Sequence, residues 1–230
     1  VTIAFVTPMP VEMRPLVGLL SLDGAVNGLR KGSISEQPVF ATTTGIGTRL
    51  AARTTERLLA QNGEITHVVV VGVAGGVDPA LAVGDLVVPA VVVSAATGKE
   101  YHPVPLGHDY RPAGRLLTTD QVQTGPEVLA QHRKDEVTAV DMETAAIADV
   151  CERHQVAWSV FRAISDTLAD GVVDASTVGM VRPDGSTNVG AALRYILRRP
   201  QTIPRLARLG RGTKLATTVA ARAAVSACQR

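Results

Sequence analysis

Apolar residues in this chain follow two rhythms. Short runs rich in Val, Ile, Ala and Phe at 2–6, 38–43, 67–72, 85–93, 137–140 and 157–163 are bounded by Gly, Pro or charged residues, and they predict strands. Between them, residues 10–20, 48–62, 125–132, 142–154 and 189–198 carry apolar side chains three and four apart and predict helices. Strands and helices that alternate in this way argue for an α/β fold, a mostly parallel or mixed sheet between two helical layers. Residues 94–118 hold several Pro and Gly beside Tyr101 and His102 and read as an irregular excursion. With no internal repeat, the chain is expected to form one domain over 1–185. Residues 186–230 are expected to be a basic helical extension, packed on that domain or partly flexible.

Two segments gather polar groups where the pattern changes. Asp141-Met142-Glu143 stands at the mouth of the predicted helix Thr144–Val150. The β-prone run Ala157–Phe161 ends at Arg162-Ala163-Ile164-Ser165-Asp166. Open α/β sheets bind ligands outside the carboxyl ends of their strands, so these groups suggest a crevice for a hydroxyl-rich, basic small molecule.

Composition narrows this. At 230 residues the chain is long enough to bury about 70% of its unfolded surface. Its apolar content comes from Val, Ala and Leu with few aromatics, which suits strands covered on both faces. Cys151 and Cys228 lie far apart, so a disulfide framework is not expected and a reducing cytoplasm is. The opening apolar run is too short for a signal segment, and no run reaches the ~18 residues of a spanning helix. Charge is uneven: residues 185–230 hold nine Arg plus Lys and no Asp or Glu, while the preceding 184 carry about −7. Pro200, Pro204 and Gly210 are expected to break this tail into short helical pieces. Its basic face reads most simply as a solvated side of a docking helix. A weak attraction to anionic membrane surfaces is the sharper alternative. Nucleic acid is not expected, because no aromatic or base-reading motif accompanies the charge.

Asp141-Met142-Glu143 together with Arg162-Ala163-Ile164-Ser165-Asp166 resembles the signature of the nucleoside phosphorylase/nucleosidase superfamily, above all its 5′-methylthioadenosine/S-adenosylhomocysteine nucleosidases. Three further segments agree in order: Thr2–Val6 leading to Thr7-Pro8-Met9-Pro10-Val11-Glu12, then Thr44-Gly45-Ile46-Gly47, then Val68–Gly76 followed by Val83–Pro89. The resemblance spans residues 1–170. It implies a single-domain three-layer sandwich with a mixed, partly curled sheet, no cofactor, a purine nucleoside as ligand and a homodimer closing the pocket around Tyr101-His102.

Cleavage of a purine N-glycosidic bond builds positive charge on the sugar and negative charge on the base. It needs an acid at the base, groups gripping the ribose and something to position the nucleophile. The resemblance assigns the acid to Asp166, oriented by Ser165. It places Glu143 and Met142 at the ribose, Glu12 (with Met9 beside it) at the attacking water, and Arg162 against Glu143, the water or a sugar hydroxyl. Asp141 stands where these nucleosidases carry Glu, which keeps the charge and shortens the reach. Val73, Ala74 and Gly75 lie in a Gly-rich turn beside ribose and base, and backbone near Val122 and Gln123 lines the adenine pocket. Plainer roles exist for each: helix capping for Asp141 and Asp166, a helix N-terminus for Glu12, core filling for Met142 and a structural ion pair for Arg162.

The phosphorylase members carry an Arg and a Ser or Thr where this chain has Val70 and Val73, so water is expected over phosphate, although Arg49 or Arg53 could bring charge. Gly190–Pro200 instead resembles a bacterial side branch, the hopanoid-associated phosphorylases, which keeps a phosphate-dependent alternative with an apolar 5′ substituent. A catalytically silent nucleoside-binding protein is the alternative from another class. A dinucleotide site at Gly45-Ile46-Gly47 fails at the third glycine. The five His show no metal-ligand spacing.

Overall fold

The computed structural model describes residues 1–121, 125–167 and 203–229. At its centre β4 (His67–Gly76) is flanked by parallel β1 (Ile3–Thr7) on one edge and parallel β10 (Ala157–Thr167) on the other. Beyond β1 come β3 (Gln37–Thr43), parallel to it, and β2 (Leu29–Ile34), antiparallel in a hairpin. The β1–β4 pairing ends at Val70, and β9 (Val137–Asp141) takes up β4 again at Gly75 and Gly76, now antiparallel. From β9 the sheet runs through parallel β8 (Arg115–Thr118) and β6 (Val91–Ser94) to β7 (Glu100–Tyr101), while β5 (Leu86–Val87) pairs with β10. One strand thus changes neighbours midway. The sheet is mixed and curls at that point, which opens a gap beside residues 71–74 of β4.

Both faces are buried, and the strands show it residue by residue. Val68 and Val70 of β4 lie in one core with Ala4, Val6 and Trp158, while Val69 and Val71 lie in the other with Phe5, Phe161 and Ala163. This is the period-two consequence of a continuous apolar run covered on both sides. Helices α2 (Thr48–Gln61) and α4 (Thr144–Arg153) cover the first face with Ala51, Leu58, Ile147 and Cys151. The second is covered by α1 (Pro10–Leu19) with Met13 and Leu16, and by α5 (Ile203–Cys228) with Ala216, Ala220 and Ala224. The helix α3 (Pro126–Lys134) precedes β9.

Several expectations need correction. The Gly-rich stretch 72–76 is extended strand, not a turn, and is laddered to β10 throughout. The strand expected over 85–93 is two, β5 and β6, with Pro89 between them, because proline has no N–H to donate to a ladder. The excursion at 94–118 contains β7 and β8. Hairpin strand β2 went unpredicted because Arg30, Lys31, Gly32 and Ser33 hide its pattern. The tail is not broken at Gly210, which sits exposed inside the 26-residue α5, and Pro204 falls in the first turn, where no N–H is required. An Ala-rich buried face outweighs the roughly 1 kcal/mol cost of a helical glycine. The helix expected at 189–198 lies outside the described residues.

Candidate active site

The site is assembled where β4 changes partners. Arg162 of β10 is the Cα partner of Gly72 on β4, and its side chain is fully buried. Around its guanidinium stand three carboxylates from three further places. Asp141, the last residue of β9, accepts from Arg162 Nη2 at 2.7 Å. Glu143, in the turn before α4, lies 3.6 Å from Nη2, and Glu12 of α1 lies 3.8 Å from Nη1. Arg162 Nε and Nη1 donate no hydrogen bond to the protein among the described residues.

Local structure fixes each acid. Glu12 sits in the first turn of α1, where its Oε2 accepts from the Met9 N–H at 2.6 Å and its Oε1 from the Val73 N–H at 2.9 Å. The capping role is therefore real, and the same carboxylate also ties α1 to β4. Glu143 Oε1 accepts from the Gly47 N–H at 3.0 Å, at the glycine turn that starts α2 with φ of +94°. Asp141 is enclosed by Thr118 Oγ1 at 2.6 Å, by Thr144 Oγ1 and by Arg162. Thr118 and Thr144 join the site with no role expected of them from the sequence, whereas Gly47 and Gly72 lie in its two glycine-rich segments. A β-strand Thr carries no sequence signal for such a role, whereas the Gly45-Ile46-Gly47 turn did.

Electrostatics follow from burial. Loss of solvent pushes the Glu12 carboxyl up to about 7, against the pull of Arg162 and of the Val73 and Met9 N–H groups. Burial pushes Glu143 up to about 8, opposed by Arg162 and reinforced by the charge on Asp141. Arg162 stays charged: burial alone would lower its pKa, but Asp141, Glu143 and Glu12 together raise it.

The acid expected at the base lies at the end of the same strand. The ladder slips between Ile164 and Asp166, so Ser165 is an extra residue opposite β4. Such a bulge re-aims neighbouring side chains. Ser165 Oγ donates to Asp166 Oδ1 at 2.6 Å, and Asp166 is half-buried. Met9, Gly47, Val73, Gly75 and Met142 are likewise half-buried, whereas Ala74 is buried in the core facing α2 and α4. Val122 and Gln123 lie outside the described residues. Arg49 and Arg53 are exposed on α2. Tyr101 turns inward and donates to Asp149 at 3.1 Å, while Glu100, His102, Val104 and Pro105 around it are exposed.

The sequence profile of the phosphorylase superfamily matches residues 2–113 and 105–198. A 5′-methylthioadenosine/S-adenosylhomocysteine nucleosidase from Actinobacillus succinogenes is 30% identical over 205 residues, covering 71% of this chain and 85% of that protein. One from Mycobacterium bovis is 27% identical over 229 residues, covering 76% and 89%. The fold matches that of the Neisseria meningitidis nucleosidase solved with methylthio-immucillin-A, with a TM-score of 0.74 at 18% identity, covering 99% of this chain and 98% of that one. With its profile match, its relatives and its curled sheet in agreement, this chain belongs to the phosphorylase superfamily.

Proposed function

We propose that the chain is a purine nucleosidase that hydrolyses the N-glycosidic bond of a 5′-modified adenosine, of the methylthioadenosine or S-adenosylhomocysteine kind, to adenine and free sugar. The observation that carries this reading is the buried Arg162 ringed by Glu12, Asp141 and Glu143, with Glu12 poised at about 7. A general base is most effective when its pKa lies near the working pH.

In the reaction, water held between Glu12 and the free Nη1 edge of Arg162 attacks C1′ as the C1′–N9 bond breaks. Glu12 takes the water's proton. Asp166, oriented by Ser165, delivers a proton to N7 of the departing base, which leaves as neutral adenine. Glu143 accepts hydrogen bonds from the ribose hydroxyls, with Met142 against the sugar and Met9, Val73 and Gly75 at the rim. Solvent then returns the proton from Glu12 to Asp166. A phosphate nucleophile is less well supported: Val70 is buried and apolar, Val73 offers no hydroxyl, and an incoming anion would meet three carboxyls around one cation. A silent binding protein has little use for an acid at the base.

The test is product analysis on methylthioadenosine, S-adenosylhomocysteine and adenosine, with and without phosphate, beside Asp166→Asn. Adenine and free sugar without phosphate, lost by about 100-fold or more in the variant, is the expected result. Sugar 1-phosphate formed only with phosphate would replace this reading with the phosphorylase one. Homodimer formation through the surface around His102 and Val104 belongs to the same proposal, and light scattering at a monomer's mass would remove it. The exposed Arg208, Arg211, Lys214 and Arg222 of α5 support a weak affinity for anionic membrane surfaces, which failure to sediment with anionic vesicles at low salt would exclude.

A further inference from the structure

Asp141 is closed to ligands by its surroundings. Its Oδ1 accepts from Thr118 Oγ1 at 2.6 Å, and its Oδ2 accepts from Arg162 Nη2 at 2.7 Å and from Thr144 Oγ1. Its side chain is 1% exposed. The hydroxyls are occupied in both directions. Thr118 Oγ1 donates to Asp141 and accepts from the Ala145 N–H at 2.9 Å, while Thr144 Oγ1 donates to Asp141 and accepts from Arg162 Nη2 at 3.0 Å. Thr118 and Asp141 are also Cα partners in the β8–β9 ladder. Four elements therefore meet in one closed ring of hydrogen bonds, and a sugar hydroxyl finds no lone pair pointing out of it.

The ring also decides how Arg162 distributes its charge. Of the three carboxylates, Asp141 alone is within hydrogen-bond range of the guanidinium; Glu143 and Glu12 stand off at 3.6 and 3.8 Å. We propose that Asp141, gripped by Thr118 and Thr144, is a positioning residue that claims the Nη2 edge of Arg162 and presents Nη1 toward Glu12 at ion-pair distance, without a direct hydrogen bond between those two. A carboxylate paired directly with Arg162 would be a weak base and would block the place of the water. Held apart, Glu12 keeps its basicity and Arg162 keeps a free donor. The ionisable groups facing Glu12 are Arg162 from β10, Asp141 from β9 and Glu143 from the turn before α4.

This inference rests on the nucleosidase reading for its catalytic meaning, and its test separates the two. The pH dependence of kcat/KM on methylthioadenosine is measured for the full chain, Asp141→Asn and Thr118→Val. In parallel, the infrared band of protonated Glu12, assigned by its loss in Glu12→Gln, is followed against pH without substrate. In Asp141→Asn the band and the acid limb of the rate profile should move together to lower pH by about half a unit to one unit. Plateau kcat should fall about tenfold to a hundredfold with KM within about threefold. Thr118→Val should shift both in the same direction by less, and it carries the test if Asp141→Asn does not fold. A band that stays in place overturns the proposal, as does a raised KM with an unmoved acid limb, which would make Asp141 a ligand contact. If the wild-type chain releases no adenine, the nucleosidase reading fails while the infrared titration still decides whether Asp141 positions Arg162.

Discussion

Gly72 and Arg162 are neighbours across the parallel β4–β10 pair, and the guanidinium of Arg162 occupies the space a side chain on Gly72 would need. A Cβ there would stand 2.3 Å from Arg162 Nη1 and 2.4 Å from Glu12 Oε1. The glycine is required by close approach, since its conformation is ordinary strand. Gly72→Ala should therefore push Arg162 and Glu12 apart, destabilise the fold by about 1–3 kcal/mol and lower kcat by about 100-fold. Thermal unfolding and steady-state kinetics on the same preparation check this; a variant with wild-type kcat would mean that the pair relaxes without consequence.

Two glycines of α5 should respond in opposite ways to the same substitution. A Cβ on Gly212 would meet the Ser165 carbonyl oxygen at 2.4 Å and Val83 at 3.1 Å, whereas one on Gly210 would meet nothing within 4 Å. Gly210→Ala should raise stability by up to about 1 kcal/mol, the difference in helix propensity, and leave kcat unchanged. Gly212→Ala should lower stability by about 1–3 kcal/mol despite the better propensity, by lifting α5 from β10. Because the contact falls on Ser165, it should also lower kcat. Chemical denaturation of the two single variants settles the comparison; equal effects would mean that α5 does not bear on the site strand.

Stability should fall as pH rises through neutrality. Glu12 and Glu143 titrate from an unperturbed value of 4.5 in the unfolded chain and at about 7 and about 8 when folded. Between those values the native state binds more protons than the unfolded one, so the slope of stability against pH is negative there. The contribution of these groups is complete below about 4.5 and is lost as pH passes through about 7 and 8. Glu56 and Asp149, whose pKa values are lowered, act below their unfolded values, outside this window. His67 and His132, lowered by burial from an unfolded value of 6.5, oppose this only below that value, so calorimetric melting from about pH 6.5 to about pH 8.5 should give a declining Tm for the ligand-free protein and a shallower decline for Glu143→Gln. A flat profile in the wild type would show that Arg162 holds both glutamates ionised.

Much of this molecule was legible in one dimension. The strands β1, β3, β4, β9 and β10 and the helices α1, α2, α3 and α4 are where runs of Val and Ala and spaced apolar residues put them, because a sheet covered on both faces requires such runs. Asp141, Glu143, Arg162, Ser165 and Asp166 stood out as polar groups gathered where the apolar pattern changes, and Glu12 through the resemblance to the nucleosidases. Other features depended on long-range contacts. Gly210 could not be read as helical until the Ala-rich face of α5 was seen lying on the sheet. The extended state of residues 72–76 depends on β10 and β9 pairing with them from opposite sides of the sequence.

By itself, the sequence determined the layers, the order of the main elements and the identity of the charged groups, since these follow from local periodicity and residue chemistry. Only the tertiary structure decided how the charges share one arginine. Thr118 and Asp141 lie 23 residues apart, and Gly47 and Glu143 lie 96 apart. The first contact exists because β8 and β9 pair side by side, and the second because α2 and α4 start next to each other over one face of the sheet. Hydrogen-bond distance and burial set which carboxylate is bound and which stays basic, and neither quantity is a property of the chain before it folds.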